Sequence, residues 1–260
     1  FLLSMKSLFL ILIFPFAAFV IIILFQLPVV TGFGAKEVSL EIQRLEPIEL
    51  SGKTLFVSDF QIEGPQANTR FDIDVDDVAK IVIVGDFFFS PRGFLEFGKT
   101  EEERLQKGLE TFVPSDFTGD IFLVWGKTHD PMLSKSEYTL GEIKLYYLGE
   151  YGKFRMGKVP AVVFHGHQLY GGAIGGGLSW LSKSFGYPLP LERLGRKRFG
   201  IDEDTWLITG HSHVPAIDYK NKIANTGSFA GVPFNFFFQI HVGTGVLFDG
   251  QEIKVVEFFK

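Results

Sequence analysis

Seven side chains of types that bind divalent cations lie at or just past the ends of apolar, strand-like runs. Asp59 and Asp86 end two runs, and His129, His165, His167, His211 and His213 follow three more. Neutral imidazole and carboxylate are the ligand mix for zinc, manganese and iron. In α/β proteins, sites form outside the carboxyl ends of strands. The pattern predicts a sheet with a cation site along one rim.

Spacing sharpens this. His211 and His213 are two apart, so in extended chain both point to the same side. His165 and His167 form a similar pair. The two oxygens of Asp86 could bridge cations roughly 3.5–4 Å apart, the separation used in two-metal hydrolysis. Gly85 before it lets the backbone turn tightly.

The positioning elements are short, unbroken apolar runs, which fit interior strands. Thr54–Ser58 leads to Asp59, Ile81–Val84 to Asp86, and Ile121–Trp125 to His129 and Asp130. Ala161–Phe164 leads to His165, and Trp206–Thr209 to His211. Stretches 101–112, 178–185 and 191–199 suit helices. Residues 36–50 read as an edge strand and 171–177 (GGAIGGG) as a flexible loop. Val242–Phe248 and Ile253–Phe259 flank Asp249-Gly250 as a hairpin.

Composition bounds the function. A net charge of -5 argues against a general nucleic-acid binder, which would usually be basic. With no cysteine, thiolate ligands and disulfides are excluded. A serine-nucleophile hydrolase lacks its G-x-S-x-G elbow. Thirty phenylalanines, some clustered at 87–89 and 236–238, read as core packing. His241 reads as structural, and 193–198 (RLGRKR) as a solvated helix face, with anionic lipid or phosphate contact as the alternative.

No charged residue occurs from Ser7 to Ala35, and Leu8–Phe25 is almost continuously apolar. As a helix that run is long enough for a hydrocarbon core of roughly 30 Å. A signal peptide is the rival reading, but no clear small-residue cleavage site follows Phe25. The expectation is an uncleaved, single-pass anchor over 1–35, a domain over 36–260, and, from Lys6, that domain outside the cytoplasm.

The stretches SDFQ (58–61), VGDFFF (84–89), GKTHD (126–130), VFHGHQ (163–168), TGHSHVP (209–215) and NTGS (225–228) occur in an informative order. In that order, over about residues 52–258, the chain resembles the calcineurin-like metallophosphoesterase family. The resemblance implies an α/β fold, a four-layer α/β/β/α sandwich with two mixed β-sheets. It implies hydrolysis of phosphate mono- or diesters by attack of a metal-bound hydroxide. Two divalent ions are implied, from among manganese, zinc, iron and nickel. Asp59, Asp86 and His213 would hold one, and Asp86, His165 and His211 the other. His129 would protonate the leaving group or stabilise phosphoryl charge, oriented by Asp130.

The departures are at Gln61, where the family has a histidine ligand, and Thr128, where it has an asparagine. Both offer neutral, poorer donors. Lys127 replaces a glycine. These changes keep a second reading open: a catalytically degenerate binding module on the same fold. The expected partner is a phosphoester substrate. The anchor and the phenylalanines make a lipid-linked phosphate or pyrophosphate one candidate class, while the sequence does not single out a substrate.

Overall fold

A strand that is apolar at every position must be covered on both faces, and five such strands require layers above and below a sheet. The computed structural model describes residues 27–32, 34–64, 77–114, 116–127, 129–170, 172–229 and 243–258. In chain order the elements are α1 (Pro28–Thr31), α2 (Ala35–Arg44), β1 (Ile48–Leu50), β2 (Lys53–Val57), β3 (Val78–Val84), α3 (Pro91–Glu96) and α4 (Glu101–Leu109). Next come β4 (Asp120–Val124), β5 (Glu137–Leu140), β6 (Ile143–Tyr147), β7 (Tyr151–Met156), β8 (Val159–Phe164), α5 (Gly172–Ser184) and α6 (Pro190–Phe199). The chain closes with β9 (Trp206–Thr209), β10 (Ala216–Asp218), β11 (Ile223–Asn225), β12 (Thr244–Phe248) and β13 (Ile253–Glu257).

Two mixed sheets form. The seven-stranded sheet runs β13-β12-β2-β3-β4-β6-β5, and the six-stranded sheet β1-β7-β8-β9-β11-β10. β2, β3, β4 and β6 are parallel neighbours, flanked by antiparallel β12 and β5. β8, β9 and β11 are parallel in the second sheet.

Side-chain alternation assigns the layers. Phe56, Val82, Val84, Phe122 and Val124 of the first sheet meet Phe154, Ala161, Val163 and Ile208 of the second in one core. Their neighbours Leu55, Val57, Ile81, Ile83, Ile121 and Leu123 point the other way, onto Phe94, Leu105 and Leu109 of α3 and α4. Val162, Phe164 and Leu207 point out of the second sheet onto Val29, Ile42, Leu191 and Phe199 of α1, α2 and α6. The order is therefore helix, sheet, sheet, helix. Burying a side chain such as Leu123 or Val163 is worth about 1.5–3 kcal/mol.

Three local expectations change. Residues 35–44 form helix α2, not an edge strand, and only Ile48–Leu50 pairs, parallel to β7. Val38, Ile42 and Leu45 fall at helical spacing and pack on the third core, so period 3.6 prevails over period 2. Most of the glycine-rich stretch 171–177 lies inside α5. The basic stretch 193–198 is only partly solvated. Arg196 is buried and donates to the carbonyls of Glu203, Asn221 and Thr205, while Arg193 pairs with Asp218 at 2.7 Å.

Among the described residues, no helix is long and apolar enough to cross a membrane. Leu8–Phe25, Phe236–Phe238, His241 and Thr128 lie outside the described residues.

Candidate functional site

The site residues occupy loops at the carboxyl ends of strands. Asp59 and Gln61 follow β2, Asp86 follows β3, and His129 and Asp130 follow β4. His165 follows β8, and His211 and His213 follow β9. Both acids thus come from the seven-stranded sheet, and His165, His211 and His213 from the six-stranded one.

The turns that bring them together are strained. Eight described non-glycine residues have left-handed φ, and five belong to the site: Asp59 (57°), Gln61 (49°), Asp86 (51°), His211 (69°) and His213 (57°). Sparsely populated backbone of this kind costs on the order of 1–3 kcal/mol per residue and concentrates at functional sites. Hydrogen bonds between loops hold it: Asp59 N–H to Gly85 O (3.1 Å), Gln61 N–H to Asp86 O (3.0 Å) and Gly210 N–H to His165 O (2.9 Å). Two motif glycines are dictated by space. A Cβ on Gly85 (φ 79°) would lie 2.7 Å from the His165 side chain, and one on Gly126 would lie 2.1 Å from Asp86 Oδ1.

Backbone carbonyls decide which nitrogen of each imidazole is free. A carbonyl only accepts, so His165 Nδ1–H donates to Val84 O (2.8 Å) and its Nε2 faces the site. Likewise His211 Nε2–H donates to Tyr170 O (3.0 Å), which leaves Nδ1 facing inward. These two inward nitrogens lie 3.1 Å apart. In neutral rings both carry lone pairs, so they repel unless a cation lies between or beside them. Asp86 Oδ2 is 3.1 Å from His165 Nε2. Donor atoms of Asp86, His165 and His211 lie within 4.8 Å of one another, the one such group of three among the described residues.

These residues fit a divalent ion. Asp59 Oδ1 and Asp86 Oδ1 are buried and make no hydrogen bond, a costly state for carboxylate oxygens unless a cation compensates it. The 3.1 Å gap between the imidazole nitrogens is one that two metal–nitrogen bonds of about 2.0–2.1 Å can span. Without an ion the site recruits a proton. Burial opposes charge on His165, but Asp86 and Asp59 outweigh it and raise the ring from its ordinary 6.5 to about 10. Burial and the charge on His165 lower His211 to about 3.

The second set is looser. Asp59 is fully buried, and Oδ2 accepts from His211 N–H (3.0 Å) and from the Ser58 hydroxyl. Oδ1 lies 3.1 Å from His213 Nε2 but is not aligned as a hydrogen bond. Burial pushes the Asp59 carboxyl up, yet the two histidines and Ser58 hold it well below the usual range. His213 Nδ1 has no hydrogen-bond partner, so no carbonyl fixes its ring. Asp86 does not join Asp59 and His213 in a three-member cluster, and Gln61 is tied to Asp86 through its backbone.

His129 stands at the mouth. Its Nδ1 is 2.5 Å from Phe89 O and its Nε2 is 3.7 Å from Asp86 Oδ2. The expectation that Asp130 orients this ring gives way to another role. Asp130 Oδ1 accepts from Phe87 N–H (2.8 Å) and Phe88 N–H (3.0 Å), and Oδ2 accepts from Gly126 N–H (2.8 Å). Burial and the nearby charge of Asp86 raise its carboxyl to about 7. Asp130 therefore clamps the loops that carry Asp86 and His129.

Three contributors had no role assigned from the sequence. Tyr170 supplies the carbonyl that fixes His211 and stacks on it at 5.3 Å. Ser58 bonds Asp59 and lies 2.6 Å from Thr226 Oγ1. Asn225 donates to Gly210 O (2.8 Å) and accepts from Gly227 N–H (3.0 Å). The NTGS motif marked Asn225, but nothing marked Tyr170, because its useful atoms are a carbonyl and a ring face.

No family model matches the chain, and no curated protein does. Solved structures are similar to it at low identity. One is a protein described as a predicted phosphoesterase from Streptococcus pneumoniae, 16% identical, TM-score 0.39, covering 78% of this chain and 87% of the other. Another is Vacuolar Protein Sorting 29 from Cryptosporidium parvum, 15% identical, TM-score 0.41, covering 80% and 98%. A third is an archaeal phosphodiesterase, 14% identical, TM-score 0.39, covering 78% and 98%. At such scores these likenesses carry no weight in assigning the site. The resemblance to calcineurin-like metallophosphoesterases rests on the motif order and on the convergence of the motif loops.

Proposed function

We propose that this chain is a metal-dependent phosphoesterase acting on phosphate mono- or diesters. The observation that carries this reading is the pair of carbonyl-locked imidazoles, His165 and His211, whose free nitrogens meet 3.1 Å apart beside Asp86. Asp86, His165 and His211, with Thr128 at the substituted position, would hold one divalent ion, and Asp59, Asp86 and His213, with Gln61, a second. Such ions polarise phosphoryl oxygens and lower the pKa of water to near 7. Manganese, zinc, iron and nickel all suit the donor set.

The chain's own groups do the rest. In its charged form His129 presents an Nε2–H at the open side of the site, placed to protonate a departing oxygen or to bond a phosphoryl oxygen. Asp130 holds the Asp86 and Gly126 loops in register. Val84 O and Tyr170 O keep the two ligand rings in the binding tautomer. The apolar run Leu8–Phe25 supports a single-pass anchor with the domain outside the cytoplasm, and a phosphoester on a lipid as substrate.

A second reading is a binding module that has lost turnover. Neutral Gln61 at an expected ligand position and the unfixed His213 ring favour it. The test is hydrolysis of a chromogenic phosphodiester by the purified chain with manganese, zinc or nickel. Turnover lost in His211→Ala and in Asp86→Ala is the expected result. A folded, metal-loaded protein with no turnover on mono- or diesters would leave the binding-module reading in place.

A further inference from the structure

Helix α5 has two unlike faces. Its inner face backs the site: a Cβ on Gly175 would lie 2.1 Å from the Tyr170 ring, one on Gly176 would lie 3.4 Å from Ser212 O, and Ser179 is buried. Its outer face carries Leu178 (38% exposed) and Leu181 (46%), continued past its end by Phe185 (81%) and Tyr187 (55%). Positions 178, 181 and 185 follow the i, i+3, i+7 spacing of one helical stripe.

The stripe lies in the layer where the N-terminal segment enters. Leu27 and Val29 are buried in the third core, and Val29 N–H donates to Leu169 O (3.1 Å), three residues before α5. Arg198 of α6 donates to Val30 O (3.0 Å), and both α1 and α5 pack on α6. The apolar run ends at Phe25, two residues before Leu27. Two residues reach about 7 Å at most. If 8–25 spans a bilayer, the membrane surface therefore lies close to this helical layer.

We propose that the outer face of α5, with Leu178, Leu181, Phe185 and Tyr187, docks onto the lipid bilayer. An apolar stripe that ends in a tyrosine suits the boundary between headgroups and acyl chains. Since the inner face of α5 backs the His211–His213 loop, docking holds the metal-type site at the membrane surface. The inference rests on the anchor reading of residues 8–25 and is independent of hydrolysis.

The chain has no cysteine, so Leu181→Cys and Phe185→Cys each create a single labelling site. Leu95→Cys, 56% exposed on the opposite helical layer, is the reference. The full chain, labelled with an environment-sensitive fluorophore, is reconstituted into phosphatidylcholine–phosphatidylserine vesicles carrying spin-labelled lipids. The expected result is blue-shifted emission with several-fold stronger lipid quenching at 181 and 185 than at 95. Equal quenching at all three sites, in a chain that co-sediments with vesicles, overturns the docking and leaves the anchor. A blue-shifted probe that lipid quenchers do not reach means protein covers the stripe, and also overturns it. A chain that does not co-sediment overturns anchor and docking together.

Discussion

The two halves of the site are built to different standards. In the Asp86–His165–His211 half, two carbonyls fix both rings and bring their free nitrogens to 3.1 Å. In the Asp59–His213 half, the acid is as deeply buried, but His213 has an unpartnered Nδ1 and Gln61 is a neutral neighbour. Ligand type alone does not separate these halves. What separates them is the orientation of each ligand by its own hydrogen-bond partner, which commonly changes metal affinity by about 10–100-fold.

The largest expected effect tests the better-built half. Asp86→Ala should abolish tight ion binding and lower turnover by about 10³-fold or more, since ion stabilisation is worth several kcal/mol. Near-normal ion content by elemental analysis would break the comparison. His129→Gln should lower turnover by about 10²-fold or more while ion content stays at the wild-type level. Loss of the ion instead would make this histidine a ligand.

His213→Ala should weaken only the second ion, by about 10–100-fold, as a calorimetric titration would resolve. Gln61→His supplies a stronger donor to that half, and should move the ion content from about one towards two per chain. No change in content or turnover would locate the weakness elsewhere.

The smallest effect is a matter of protons. His165 titrates near 10 in the ion-free protein, against an ordinary 6.5. Its contribution to ion-free stability is fully present below about 6.5 and is lost as pH rises through about 10. An ion must displace that proton, so binding at pH 7 should release about one proton, and affinity should rise with pH up to about 10. Calorimetry in buffers of different ionisation enthalpy would measure it. Zero release would mean that His165 is neutral before the ion arrives.

Much of this architecture was legible in the sequence. β2, β3, β4, β8 and β9 announce themselves because residues such as Ile81–Val84 are buried on both faces and so are apolar without a break. The acids and imidazoles sit one or a few residues beyond those runs, which made their convergence readable. Less was legible where tertiary contact overrides propensity. Gly175 and Gly176 look like a loop, yet they are small because Tyr170 and Ser212 lie against α5. Charged α2 resembles a strand until Ile42 is seen buried. The clamp role of Asp130 was hidden because its partners are backbone amides, which leave no mark on composition.

One feature of the sandwich reaches beyond catalysis. The acids come from one sheet and three of the histidines from the other, so an ion seated among them rivets the two halves face to face. Slippage between the sheets would eject such an ion, and its binding would resist slippage. Melting temperature should therefore climb with the logarithm of free metal once the dissociation constant is exceeded, and chelation should loosen the whole body rather than one loop.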